Sequence, residues 1–174
     1  QRRFFAAIAG VQADQQGHHD AGRAEGGGDL DEALEQATKA AVQKVAPAVV
    51  QIRTIGGLEV VGGNVRKGLG PTTGLIVSPD GYIISSSFNF ASKPAAITVL
   101  VPGKPEPLSA KVVAQDQTRM LTLLKVDAGD LPTPVAVPKD EVRLGQWALA
   151  VGRTWSDGTA SPPSVSVGII SAKD

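Results

Sequence analysis

Cysteine is absent from the 174 residues. Disulfides and thiolate chemistry are thereby excluded, while location stays open, because secreted and periplasmic chains can also lack cysteine. Histidine is nearly absent: His18 and His19 are the only two, adjacent and close to the start. Any acid–base proposal further along must do without imidazole. Aromatic residues make up 4% of the chain, so a core within its 42% hydrophobic content must be built from Val, Ile, Leu and Ala. Neither charge sign is in excess: Lys+Arg and Asp+Glu are both 17, which argues against a nucleic-acid surface or a polybasic membrane patch. No apolar run approaches the ~20 residues of a membrane span. No cofactor is expected.

What is present begins with Arg2-Arg3 ahead of FFAAIAGV (Phe4 to Val11) and Gln12-Ala13. Charge, a short apolar stretch and small residues fit either a leader remnant or a sticky surface helix. Residues 12–28 are polar and Gly-rich and read as linker. His18-His19-Asp20 within them offers metal donors, but no further ligand follows at a metal-site spacing, so a solvated tail is the preferred reading and no metal is expected. Asp29 to Ala46 reads as a helix, with Asp29 as N-cap and Glu32 completing a capping-box pattern. Leu30, Leu34, Ala37, Ala41, Val42 and Val45 give it one apolar face, and Pro47 ends it.

From Pro47 onward the pattern is that of β-structure. Ala48–Thr54 and Leu58–Val61 read as strands, and Val65–Pro71 as a loop. Thr73–Ser78 and Tyr82–Ser86 flank Ser78-Pro79-Asp80-Gly81, which has the chemistry of a tight hairpin turn. Ala96–Val101, Leu108–Ala114 and Leu121–Val126 follow, the last a nearly continuous apolar run suited to a barrel strand. A proline-rich connection, 128–143, precedes two more strands, Leu144–Val151 and Ser164–Ser171. Short strands punctuated by turn signals predict an all-β barrel or sandwich.

The stretch TGLIVSPDGYIISSSFNFA (Thr73 to Ala91) resembles one family closely, the trypsin-like serine proteases of the HtrA (Deg) type, whose G-hydrophobic-I-hydrophobic-S-x-D-G-Y-I segment leads to the catalytic histidine. AVQKVAPAVVQI, VVAQDQTRMLTLLKV, VRLGQWALAVG and VSVGIISAK resemble successive further motifs of that family, over about Ala41 to Lys173. The resemblance implies a chymotrypsin-type fold: a tail at 1–28, a helix at 29–46, a first β-barrel at 47–127, a linker at 128–143, and the first strands of a second, incomplete barrel at 144–174. It also implies an extracytoplasmic setting, the periplasm or cell envelope.

Under this resemblance the catalytic histidine position falls on Phe88 and the triad aspartate on Met120. Asp116 matches an earlier acidic residue of the motif that is not a triad member. A phenyl ring has no titrating proton, and a thioether cannot hold an imidazole in its tautomer. The two losses are consistent with each other, since a buried carboxylate without its partner is costly. The family's G-N-S-G-G motif, which carries the nucleophile and oxyanion hole, has no counterpart within residues 1–174. Phe88 is expected to fill the core at the barrel rim, with a ligand-facing anchor as the alternative. A Ser–Lys pair between Ser85–Ser87 and Lys93 is the remaining catalytic option, weaker than a plain polar strand edge. No residue is therefore assigned as catalytic.

The expected function is a non-proteolytic HtrA-like homologue that binds, scaffolds or assembles. The alternatives are a fragment of a longer trypsin-like endopeptidase-family protein, also expected to be inactive, and a purely structural subunit. Two strands cannot close a second barrel alone. The strands at 144–151 and 164–171 are therefore expected to be covered by the first barrel, the helix, a second copy or a separate chain.

Overall fold

The computed structural model describes residues 27–56, 58–61, 64–67, 72–91, 93–153 and 160–173. The N-terminal stretch read as leader and linker, with His18-His19-Asp20, lies outside them. Among the described residues, ten strands follow one long helix: α1 (Gly27–Val45), β1 (Val49–Ile55), β2 (Leu58–Val61), β3 (Asn64–Lys67), β4 (Thr72–Ser78), β5 (Tyr82–Ser86), β6 (Ala96–Leu100), β7 (Leu108–Asp116), β8 (Leu121–Val126), β9 (Trp147–Arg153) and β10 (Pro163–Ile169). Six of them close an antiparallel barrel in the order β1-β4-β5-β8-β7-β6, with β6 returning to β1. The all-β barrel architecture expected from the sequence is thus observed.

Alternation of side chains across the pleat fills the barrel. Val50 and Ile52 of β1, Ile76 of β4, Ile83 of β5, Val99 of β6 and Leu124 and Val126 of β8 meet inside it, each essentially without solvent contact. Gly74 makes the closure possible. A Cβ there would stand 2.6 Å from Ile52 Cδ1 and 2.8 Å from Ile83 Cγ2, so β1, β4 and β5 approach only because that position has no side chain. Gly81 closes the β4–β5 turn with φ +103° and donates its N–H to Ser78 O at 3.1 Å. Its own carbonyl receives the Val126 N–H at 3.0 Å, which sews the turn to β8.

β1 is buried on its outer side as well. Val49 packs with Ala41 and Val45 of α1 and with Leu149 and Val151 of β9. The helix and the first strand of the C-terminal hairpin thus form a layer on the outside of the barrel. Arg153, at the end of β9, ties it down. Its guanidinium donates to Val49 O (2.8 Å), Ala46 O (2.6 Å) and Ser161 O, and its backbone N–H donates to Thr73 Oγ1 at 2.9 Å. Burial lowers the Arg153 pKa from its ordinary value, yet a guanidinium stays protonated under any ordinary condition. The Ala46 carbonyl follows directly on the C-terminus of α1, where a cation is favoured by the helix dipole.

Several expected boundaries shift. The helix begins at Gly27, so Asp29 is not the N-cap but lies in the first turn, where a carboxylate still complements the exposed N–H groups. Only the C-terminal half of its apolar face is buried; Leu30 is 74% and Leu34 42% exposed. The segment Val65–Pro71, read as a loop, contains part of β3, which pairs with β2 in the register Val60↔Val65. Ala48 belongs to a short helical turn ahead of β1, and the strand expected from Leu144 begins at Trp147. The first residues of the 128–143 connection are part of the barrel: Leu131 is buried in its core and donates its N–H to Pro79 O at 3.0 Å.

Replacing Arg153 with Met should cost about 2–4 kcal/mol, since three buried or half-buried carbonyls lose their donor while packing volume is kept. Urea denaturation measures it, and a loss under about 0.5 kcal/mol would show that the guanidinium is incidental.

Candidate functional site

A tight helical turn, Ser87–Phe90, follows β5 directly. Phe90 is its apolar anchor, 2% exposed and part of the barrel core. Asn89 pins the turn to β4 by donating from Nδ2 to Thr72 Oγ1 at 2.6 Å. Phe88, between two well-held neighbours, projects outward and is 76% exposed. The expectation that Phe88 fills the core is therefore corrected. In the S-F-N-F sequence the second phenylalanine takes that role, and a one-residue step around a tight turn sends the first into solvent.

Met120 approaches from the other side. Asp116, at the end of β7, accepts the N–H groups of Thr118 and Arg119 at 3.0 Å each and pairs with the Arg119 guanidinium at 2.8 Å. These bonds hold the Asp116 carboxyl below the ordinary aspartate range, with Arg119 as the leading cause. They also set the turn that delivers Met120 to the start of β8. Met120 has φ +57°, a left-handed conformation that is unusual for an unbranched apolar residue and easier for Asp or Asn. The Ser87 N–H donates to Met120 O at 2.9 Å, and Ser87 Oγ contacts Met120 Sδ at 3.7 Å.

The structure thus brings together the two positions that the sequence singled out. Phe88 and Met120 line one recess of about 330 Å³ together with Ser87, Phe90, Lys93, Gln115 and Gln117. Lys93 has φ +49°. Two of the three non-glycine residues with positive φ among those described therefore border this recess. Sequence reading found Phe88, Met120 and Lys93 but not Gln115, Gln117 or Phe90. The end of β7 faces the turn after β5 only once the barrel closes, and no local pattern announces that.

The serine cluster divides by burial. Ser85 is fully buried and donates to Thr73 O at 3.0 Å, and Ser87 directs its hydroxyl to a thioether sulfur. Lys93 shares the recess with Ser87, but the Ser87 hydroxyl points to Met120 rather than to its amine. No cluster of three or more metal-ligating side chains occurs among the described residues, and no helix there is long and apolar enough to cross a membrane.

A family model described as the trypsin-like peptidase domain matches residues 72–174, more than half of the chain. The chain belongs to the trypsin-like peptidase family. Among curated proteins, this trypsin-like domain is similar to a probable periplasmic serine endoprotease DegP-like of Pseudomonas fulva (strain 12-X), 35% identical over 112 residues, 64% of this chain and 22% of the relative. The DegP-like protein of Ectopseudomonas mendocina (strain ymp) is 33% identical over the same shares, and that of Halomonas elongata 34% identical over 62% of this chain and 21% of its own. The HtrA (Deg) resemblance is thereby supported. The chain spans about a fifth of the length of these relatives.

Phe90→Ala should destabilise the fold by about 3–5 kcal/mol, as expected for a buried aromatic, whereas Phe88→Ala should change stability by less than about 0.5 kcal/mol. Thermal or urea melts of both variants check this; equal losses would contradict the opposite exposures of the two rings.

Proposed function

We propose that this trypsin-like domain binds peptide segments without cleaving them. What supports the reading is the chemistry of the recess at the family's histidine and aspartate positions. Phe88 and Met120 stand there, and neither transfers a proton or orients an imidazole. The two changes together leave an apolar, solvent-facing wall where a protease would carry charge. Relatives named endoproteases act within polypeptide chains, so the ligand of this domain is an internal, extended stretch. Relatives named periplasmic suggest an extracytoplasmic place of action, by analogy.

A second reading is favoured by the short coverage of the relatives: the chain is one segment of a longer protein of this family. Phe88 and Met120 would make that parent inert as well. The C-terminal hairpin points the same way. One face of β9 is covered by α1 and the barrel, but Val165, Val167 and Ile169 of β10 are 39%, 52% and 58% exposed. We propose that further polypeptide, from the same parent or a partner, lies over β10, which among the described residues pairs with β9 alone and so offers an edge for strand addition.

Incubation with casein, fluorogenic peptides and a fluorophosphonate probe should give no turnover and no labelling; peptide-bond cleavage by the pure protein would contradict the proposal. Gel filtration of the same sample should show self-association or a co-eluting partner, and a clean monomer would remove the covered-β10 idea for the isolated chain.

A further inference from the structure

We infer that the recess at Phe88 is selective: it takes an apolar side chain followed in the same extended segment by an Asp or Glu carboxylate. This rests on the non-proteolytic binding reading and specifies its ligand. The volume, about 330 Å³, lies at the lower end for small-ligand sites and suits one large side chain with its flanking backbone. Phe88 and Met120 offer the apolar contact. They are 76% and 42% exposed, while buried Phe90 fixes the turn that presents Phe88. An aromatic ring and a thioether adapt readily to an aliphatic or aromatic guest.

Charge decides what stands beside that guest. Among the described residues that line the recess, Lys93 is the single charged one and none is a carboxylate. Asp116 and Arg119, close by in the chain, are paired with each other and leave the field of Lys93 in place. A cationic guest is disfavoured and an anionic one favoured. The amides of Gln115 and Gln117 supply donors and acceptors for the backbone of the guest; Gln115 Nε2 also reaches Thr122 Oγ1 at 3.4 Å, which holds that side chain in place. The left-handed backbones of Lys93 and Met120 add a separate sign, because conformations of this cost persist mainly where a site requires them.

The test uses the 174-residue protein and peptides labelled at the N-terminus with fluorescein and amidated at the C-terminus, so that the only peptide carboxylate is the side chain. Anisotropy is measured for a Gly/Ser peptide with a central Leu-Asp pair and for its Leu-Asn, Leu-Lys and Ser-Asp counterparts. Leu-Asp should bind saturably, with Leu-Asn about three- to fivefold weaker, as for a partly exposed ion pair, and Leu-Lys and Ser-Asp weaker still. Lys93→Gln should abolish the difference between Asp and Asn, and Phe88→Ala should weaken Leu-Asp about tenfold or more in a protein whose melting is unchanged. Equal binding of Asp and Asn, an Asp preference that survives Lys93→Gln, indifference to Phe88→Ala, or no saturable binding would overturn the inference. Mass spectrometry of the recovered peptides separates the two levels: intact peptide without selective binding removes only the selectivity, whereas cut peptide removes the non-proteolytic reading along with it.

Discussion

β1 is buried on both faces, and the arrangement of the whole chain depends on it. Inward, Val50 and Ile52 belong to the barrel core; outward, Val49 meets α1 and β9. A strand buried in this way cannot slip by one residue without exchanging two different apolar environments. Its pairing with β4 on one side and β6 on the other closes the barrel. Arg153 then fixes the outer layer by bonding to backbone carbonyls at Ala46 and Val49, on either side of the point where helix gives way to strand. The helix and the C-terminal hairpin are positioned by this one strand, although more than 90 residues separate them in the chain.

The same closure creates the recess. Strand β5 ends in the turn that carries Phe88, and β7 ends in the turn that carries Met120; they face each other because β8 pairs with both strands. Met120 occupies a left-handed conformation that an aspartate would adopt with less cost, and Asp116 still organises the turn ahead of it. Under the proposed reading, the scaffold of a catalytic site is retained while its side chains have changed character. A hydrophobic pair facing solvent is stable only because each residue is anchored by neighbours: Phe90 and Asn89 hold the first, and the Ser87 N–H holds the second.

Much of the architecture was legible because it is written locally. The Ser78-Pro79-Asp80-Gly81 turn, the short runs of β5 and β8 and the proline after the helix each declare themselves within a few residues. The motif series added the order of the strands. What was not legible depends on contacts distant in sequence. Nothing near Phe88 says that it, and not Phe90, faces solvent; a tight turn of either phase fits the same four residues. β3 escaped notice because Asn64–Lys67 carries little apolar pattern and is defined by its partner β2. Arg153 drew no notice in the sequence, because its three carbonyl partners come from segments that only the fold assembles. Leu30 and Leu34 erred in the opposite direction, since a periodic apolar face records what can be buried, not how far a partner extends along it.

The most direct test of the central claim, that Phe88 and Met120 occupy adjoining places in a former acid–base site, is a titration of an imidazole installed there. NMR would follow the side chain in Phe88→His alone and in Phe88→His combined with Met120→Asp. A neighbouring carboxylate stabilises imidazolium, so the pKa should rise in the double variant, by about one unit for a partly exposed pair. Identical titration curves in the two proteins would place these residues apart and contradict the account.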